Sequence, residues 1–482
     1  MAAKEPTMYS FEFITCPLLS LSATLKLIEH YADQFGADPW EWKMNLGFLQ
    51  LLGDMGGLPR AISYLLEECF GKDYSAGLDF FRKISSTDFR GIFDNAVKNV
   101  DTKYGLQGFI SEHRTAALQV FGHALRGASI TRDRVLGNTS VEEIEQLGHV
   151  FLQQVGTNYY FRMPFLFVSI YNKYLKIISR ELADVAFNPD SQITWQSWES
   201  FNALFVVFLN NFLLQENGKI SMTLGDFFHK ADGHDDTKNL CIELDPLEVA
   251  RLAHQFPSKN QQNLVLHKDS GKEIDWTTRK YLLLNAKSAE FGDTVLIRAA
   301  GMQIALEYFG RKVTTIVVSG QQKWDYNGED FTIEQAAKEH SKALETAKRA
   351  GILDFCGLIT VIFTTQPLPK DEIQSIPKDI LIIHQGNFKD YYGPFATRAA
   401  FSIAHTFNPN FADIKHLQVL EGVGEETAKA IAKERQKRPF KNLDDLCARV
   451  PRVKKSKLTR EITFFPFTSK RSLLPFEGYT KQ

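Results

Sequence analysis

The chain has 482 residues, 44% of them apolar and 12% aromatic, with a formal net charge of −1. This is enough apolar material for several buried cores and about three or four domains, and it excludes a disordered chain. The five cysteines, Cys16, Cys69, Cys241, Cys356 and Cys447, are scattered and form no C-x-x-C pair, which excludes a disulfide framework and a zinc site and suits a reducing compartment.

In chain order, Met1 to Ser10 shows no charged-then-apolar signal pattern. Residues 1–75 are predicted helical and end in the turn Leu52-Gly53-Asp54-Met55-Gly56-Gly57-Leu58-Pro59-Arg60-Ala61-Ile62. Proline suits a first helical turn, and this G-G-L-P turn resembles the lid motif of STAND-type P-loop ATPases. No G-x-x-x-x-G-K-[ST] segment occurs in the chain, so no amide cradle or lysine serves the β and γ phosphates and ATPase activity is not expected.

Residues 76–184 are predicted as a helix over Arg114 to Leu125, a capping box at Ser140 and Glu143, and a hairpin from Val150-Phe151-Leu152 to Tyr159-Tyr160-Phe161-Arg162-Met163-Pro164. Helices followed by such a hairpin suggest a winged-helix-like region. His113, His123 and His149 lack ligand spacing and read as structural. Residues 185–239 read as a connector with a Phe-rich helix, whose longest apolar stretch, Ala203 to Leu214, is too short for a bilayer span of ~20 residues. The run Lys230 to Asp236 lacks the calcium-loop pattern and reads as a solvated loop.

From 240 to 405 the pattern turns α/β. A helix is expected over Leu247 to Phe256, strands over Tyr281–Leu284, Thr294–Ile297, Thr314–Ser319, Leu358–Thr364 and Ile380–His384, and a Thr332-capped helix ending at Gly351. This α-β-β-β-α-β order resembles the restriction-endonuclease-like core. The resemblance places a catalytic aspartate at Asp293 and an [EQ]-x-K motif at Gln321 and Lys323, with Glu248 as a further carboxylate. Such groups hold Mg²⁺ and orient the attacking water. Gln321 carries no charge where the pattern has glutamate, and Gly292 replaces the usual proline.

Residues 406–482 hold the segment LQVLEGVGEETAKAIAKERQKRPFKNLDDL. Ile414, Leu417 and Leu420 recur at helical spacing, the chain turns at Gly422-Val423-Gly424, and Ala428, Ile431 and Ala432 resume the pattern. The glycines leave the amides of the second helix open at its positive end, where a phosphate oxygen can accept from them. Gly422, Val423, Gly424, Thr427, Lys429 and Lys433 are the expected contacts, with Arg435, Lys437 and Arg438 extending the positive surface. Asn442 is expected to cap a short helix with Asp445 at its third position. The segment resembles the helix-hairpin-helix domains of DNA repair and DNA uptake proteins, which implies sequence-independent contact with duplex DNA. Val450-Pro451-Arg452-Val453, where a second hairpin would stand, lacks the glycines. From Phe411 onward there are 16 Lys and Arg against 9 Asp and Glu, a net of +7, which leaves the rest of the chain near −8. Arg452, Lys454, Lys455 and Lys457 lie in the densest basic cluster, read as phosphate contacts or a nuclear-import signal.

Taken in order, the G-G-L-P-R turn, the winged-helix-like region, the D and Q-x-K core, the Asn387-Phe388-Lys389-Asp390-Tyr391-Tyr392-Gly393-Pro394 ending and the terminal hairpin resemble Crinkler effectors of oomycetes and related fungi. The related retrotransposon hot spot proteins of trypanosomes share this plan. The fold expected is α+β and multidomain. The resemblance implies a secreted effector that binds duplex DNA in the host nucleus, meets host nuclear factors there, and alters transcription or immunity, with no membrane partner. The chain departs from the family in lacking the L-x-L-F-L-A-K translocation segment and a signal peptide, so it is expected either to be the effector part of a longer protein or not to be secreted. Two alternatives stand beside this reading: a Mg²⁺-dependent nuclease effector using Asp293, Gln321 and Lys323, and an endogenous repair or recombination protein.

Overall fold

The computed structural model describes residues 18–38, 42–43, 45–187, 197–218, 221–257, 263–265, 273–286, 289–300, 306–308, 311–323, 330–404, 408–410, 412, 414–418, 420, 422–455 and 464. It is a mixed α and β protein. The chain divides into two compact units, Met1–Ile177 with Gly393–Thr397, and Ile178–Tyr392 with Arg398–Gln482.

The first unit is built mainly from helices: α1 (Leu21–Phe35), α2 (Leu46–Asp54), α3 (Pro59–Phe70), α4 (Gly77–Lys83), α5 (Phe89–Tyr104), α6 (Leu106–Glu112) and α7 (Arg114–Arg126). Side chains of Ser20, Asn45 and Asp88 cap α1, α2 and α5 by accepting backbone N–H bonds that the helices leave free. At the G-G-L-P turn, the Leu19 amide donates to the Gly57 carbonyl at 2.9 Å and Pro59 opens α3. The turn therefore has a packing role in the fold. Beyond α7 come β1 (Ser129–Ile130), α8 (Val141–Gln146) capped by Ser140, and the hairpin β2 (Phe151–Val155) and β3 (Asn158–Arg162). These strands form an antiparallel sheet in the order β1-β3-β2, followed by α9 (Phe165–Leu175). His149 donates from Nε2 to the Tyr104 carbonyl at 2.9 Å and stacks on Phe109 at 4.4 Å, a buried histidine with a structural contact.

The second unit is organised on a seven-stranded mixed sheet. Its elements are α10 (Ser197–Asn217), β4 (Asp232–Gly233), β5 (Glu248–Arg251), β6 (Tyr281–Leu284), β7 (Thr294–Ala299), β8 (Thr315–Lys323), α11 (Ile333–Arg349), β9 (Gly357–Thr364) and β10 (Ile380–Ile383). The strand order is β4-β10-β9-β8-β7-β6-β5. Strands β6, β7 and β8 form an antiparallel meander, and α11 crosses over to place β9 parallel to β8. Thr332 and Gln335 cap α11 reciprocally, as the capping box predicts. Alternation along the strands divides the sheet into two buried faces. Val295, Ile297, Val317 and Leu358 pack with Ala343 and Ala347 of α11. Leu282, Leu296, Val318 and Val361 face Val206 of α10 on the other side.

Three expectations are corrected here. Leu247 to Phe256 is not a helix: Glu248–Arg251 is a strand paired in parallel with β6 at the sheet edge. The Phe-rich helix of the 185–239 segment, α10, packs against the sheet through Val206 and so belongs to the core of this unit rather than to a connector. The Lys230 to Asp236 run is more than a solvated loop, because Asp232 and Gly233 pair with Ile382 and Leu381 of β10. His384 and Asn387 fix that edge by bonding to the Asp232 carboxylate at 2.8 and 3.2 Å.

The same unit carries α12 (Ile414–Leu417), α13 (Glu425–Lys437) and α14 (Leu443–Arg449). Leu417, Leu420, Val423, Ala428, Ile431, Phe440, Leu446, Val450 and Val453 share one buried core. Buried Asn410 clamps it, accepting from the Phe440 amide at 2.7 Å and donating to the Phe440 carbonyl at 2.9 Å. Among the described residues no helix is long and apolar enough to cross a membrane.

Candidate functional site

The first candidate site lies where β7 begins and β8 ends. Asp293 precedes β7, and its amide donates to the Gly320 carbonyl at 2.9 Å, one residue beyond the Thr294–Gly320 pair. This sets Asp293 beside Gln321, and the two-residue strand period puts Gln321 and Lys323 on one face. Gly292 has φ +153°, and a Cβ there would lie 2.5 Å from the Ser319 hydroxyl, which accounts for glycine in this approach. One Asp293 oxygen accepts from the Gln322 amide at 2.7 Å. Burial pushes the Asp293 carboxyl above the ordinary carboxylate range, against the Gln322 N–H bond and the Lys323 charge, which pull it down.

A second carboxylate joins from α10. Burial, and then the negative charge of Asp293, raise the Glu199 carboxyl; Arg251 and Lys323 oppose the rise. The first turns of α10 are held on both sides of Glu199. The Trp198 indole donates to the Tyr392 hydroxyl at 3.3 Å, and that hydroxyl donates to Asn202 at 2.9 Å. The Arg251 guanidinium donates to the Ser200 hydroxyl at 2.9 Å. Glu248, expected to add a carboxylate here, lies exposed on the edge strand β5 instead. A third acid, Glu339 on α11, holds the Lys323 ammonium at 3.1 Å and that of Lys342 at 2.9 Å. Burial raises Glu339, but these two cations more than offset it and leave its carboxyl below the ordinary range.

Gln321 is buried beside Asp293 and supplies a neutral amide. Among the described residues no set of three or more Asp, Glu, His or Cys side chains is arranged to hold a metal by itself. The cluster is thus two raised carboxylates, an amide and a lysine, a donor set that suits a hard cation completed by water and phosphate oxygens.

The second candidate site is the hairpin between α12 and α13. Leu420 accepts from the Val423 amide at 3.0 Å, which closes the turn, and Val423 is buried. Gly422 has φ +80°, a conformation that strains other residues. Gly424 is different: its backbone is extended, and a Cβ there would meet nothing within 4 Å. Its contribution is an uncovered approach to the start of α13. No side chain caps α13, and the first backbone bond of the helix runs from Ala428 to the Gly424 carbonyl at 2.9 Å. The amides of Glu425, Glu426 and Thr427 are left without helical acceptors, as at any helix start. Thr427 itself is buried.

The basic residues around the hairpin divide into two groups. Lys429 pairs with Glu425 at 2.8 Å and Glu426 at 3.6 Å, and Lys437 pairs with Glu434 at 2.6 Å. Arg438 pairs with Asp445 at 2.9 Å, and Arg435 donates to the carbonyls of Pro409 and Ala412. Arg449 donates to the carbonyls of Glu434, Arg438 and Pro439 and lies over the Phe440 ring. Of the positive surface expected from Arg435, Lys437 and Arg438, Arg435 and Arg438 bind other parts of the domain, while Lys437 stays exposed and pairs only within its own helix. Lys433 is exposed and has no ion pair among the described residues. Asn442 caps α14 by accepting from Asp445, as expected. Val450 to Val453 repeats the closing bond of the first hairpin, with the Val453 amide donating to Val450 at 2.9 Å. Arg452 and Lys454 are exposed there, Lys455 pairs with Asp444 at 2.6 Å, and Lys457 lies outside the described residues.

This hairpin coincides with a match to a known motif. A family model described as "Helix-hairpin-helix motif" matches residues 415–463. The chain is also similar to Crinkler effector protein 108 of Phytophthora sojae, with 39% identity over 212 residues. The matched stretch is 44% of this chain and 23% of that protein's length. No solved structure matches the chain.

Proposed function

We propose that this chain is a pathogen effector that grips duplex DNA through the phosphate backbone. The observation that carries the reading is the hairpin itself: a left-handed Gly422, an open Gly424 and an uncapped helix start, within a matched helix-hairpin-helix motif. The helix dipole and the free amides favour a phosphate oxygen there, and Lys433 adds a cation on the next turns of α13. The similarity to a Crinkler effector supports the biological setting, in which the protein acts in the host nucleus on transcription or immunity. Exposed Arg452 and Lys454 would serve as backbone contacts or as part of an import signal. Because backbone contacts carry little sequence information, duplexes of unrelated sequence should be retarded equally in a gel-shift titration. A strong preference for one sequence would contradict backbone reading.

A second reading concerns the cluster where β7 begins and β8 ends and is supported by one observation: Asp293, whose amide donates to the Gly320 carbonyl at 2.9 Å, stands beside buried Gln321 at the strand end that carries Lys323, and the charge of Glu199 on α10 is felt there. We propose that this cluster is a restriction-endonuclease-like site that cleaves DNA with Mg²⁺. Asp293, Glu199 and the Gln321 side-chain oxygen would hold the ion, which supplies Lewis-acid polarisation of a phosphoryl oxygen when bound. The chain's own contribution is to set in place two partly buried carboxylates whose charges interact, and to hold the Lys323 ammonium at the same strand end, where it would orient a water near a phosphate. Incubation of supercoiled plasmid with Mg²⁺ tests this. Nicking by the native chain, lost in Asp293→Asn and in Lys323→Ala, is the expected result, and equal nicking by all three would remove the assignment.

A further inference from the structure

The hairpin carries charges that oppose a phosphate contact. Helix α13 opens with Glu425 and Glu426, both exposed, at the end where its backbone amides have no cap. The helix dipole favours carboxylates there, so they occupy the same positive field that would draw a phosphate oxygen. The two acids also converge on one cation: Lys429, a turn further on, lies 2.8 Å from Glu425 and 3.6 Å from Glu426. The fold does not demand acids at this place. Thirty residues later the turn is made again: the Val453 amide donates to the Val450 carbonyl at 2.9 Å, as the Val423 amide does to the Leu420 carbonyl at 3.0 Å, and both valines are buried in the same core. In that second turn Lys454 and Lys455 stand where the first has Gly424 and Glu425. Helix α13 is seated through Thr427, Ala428 and Ile431, its buried residues, and not through its acids.

Resting on the reading of the hairpin as a grip on the DNA backbone, we propose that Glu425 and Glu426 are a built-in brake on that grip, holding Lys429 out of the contact until a DNA phosphate displaces them. Binding is then an exchange of partners: the Lys429 ammonium leaves carboxylate oxygens for a phosphate oxygen, and the two carboxylates turn into solvent. The Glu425 and Glu426 side chains are 65% and 74% exposed, so the exchange needs no repacking of the core. Exposed pairs of this kind are weak, and the brake therefore lowers affinity without closing the hairpin. Lys433, which has no ion pair among the described residues, makes the first contact, and Lys429 adds a second one only after the exchange.

The test is anisotropy of a labelled duplex titrated with the full chain across a salt series, with thermal unfolding as the control for folding. Glu425→Gln/Glu426→Gln should bind roughly threefold more tightly than the native chain at low salt, with a salt slope steeper by up to about 0.9, the value of one contact. In the Lys429→Ala background the same two substitutions should give a smaller gain and no steeper slope, because the cation they release is gone. If the double variant melts early, Glu425→Gln alone keeps one acid in the first turn and must show the same direction. When the native chain binds and the glutamine variants bind no more tightly, the acids only stabilise the helix start and the inference fails alone. A gain of equal size and slope with and without Lys429 also overturns it, since the acids would then act by general repulsion. If the native chain and the glutamine variants all fail to bind duplex DNA, the hairpin reading falls and this inference falls with it.

Discussion

Glu199 and Asp293 are held where water is scarce and each feels a neighbouring negative charge, so both carboxyls are raised. A raised folded value means that the fold prefers the protonated acid. Stability from this source is present below the ordinary carboxylate range and is lost as pH rises through the raised folded values. The melting temperature of the native chain should therefore fall more steeply than that of Asp293→Asn between about pH 5 and about pH 8 in the absence of divalent cations. Parallel profiles for the two proteins would show that the pair is not strained. That Asp293, Gln321 and Lys323 come to adjoining strand ends was legible in the sequence, because D and Q-x-K form a short pattern there. Glu199 and Glu339 were not, since each stands in a helix whose local pattern gives no chemical signal. Their position depends on which strand end the helix meets, and that is fixed only by tertiary packing.

At the scale of elements, α10 is the piece that the sequence reading assigned least well. Its Phe-rich run reads as a connector, while the L-E-V-A-R-L pattern of residues 247–252 fits a helical period as well as a strand period. Parallel pairing with β6 decided the second case, a contact between segments about thirty residues apart. The sheet strands β6 to β10 were legible because short apolar, mostly β-branched runs bounded by glycine and polar residues have no competing helical pattern, whereas the hairpin of Leu306–Tyr308 and Arg311–Val313 was not foreseen. The first turns of α10 depend on the Tyr392 hydroxyl. Tyr392→Phe leaves the buried Asn202 oxygen without its donor and should cost roughly 1–3 kcal/mol in urea unfolding; an unchanged midpoint would show that this bond does not hold the helix. The hairpin was legible in full, because its turn and both helices are local in sequence. What the sequence could not show is that the lysines on α13 differ. Lys433→Ala should lower the salt dependence of DNA binding by about one phosphate contact, whereas Lys429→Ala should lower it less, because Lys429 must first leave Glu425 and Glu426. Equal effects would show that the ion pairs seen at Lys429 do not restrain it.

For the whole molecule, a net charge near zero conceals a basic C-terminal region on an acidic remainder. Such a chain does not adhere to DNA through its overall field, and a localised module must provide the grip. If the proposed nuclease reading holds, Gly424→Val should raise the DNA concentration needed for half-maximal nicking while leaving the maximal rate nearly unchanged. A fall in maximal rate at saturating DNA would instead tie the hairpin to the chemistry. The most direct measurement of the central claim is duplex-DNA binding by fluorescence anisotropy across a salt series, comparing the native chain with Gly424→Val. The extended backbone of Gly424 and the open space at its Cβ allow this substitution without strain, so it covers the amides and leaves the fold intact. The account predicts binding by the native chain that falls steeply with salt, with a slope of about −0.9 per phosphate contact, and binding that collapses in the variant. Equal binding by both proteins, or none by either, would contradict it.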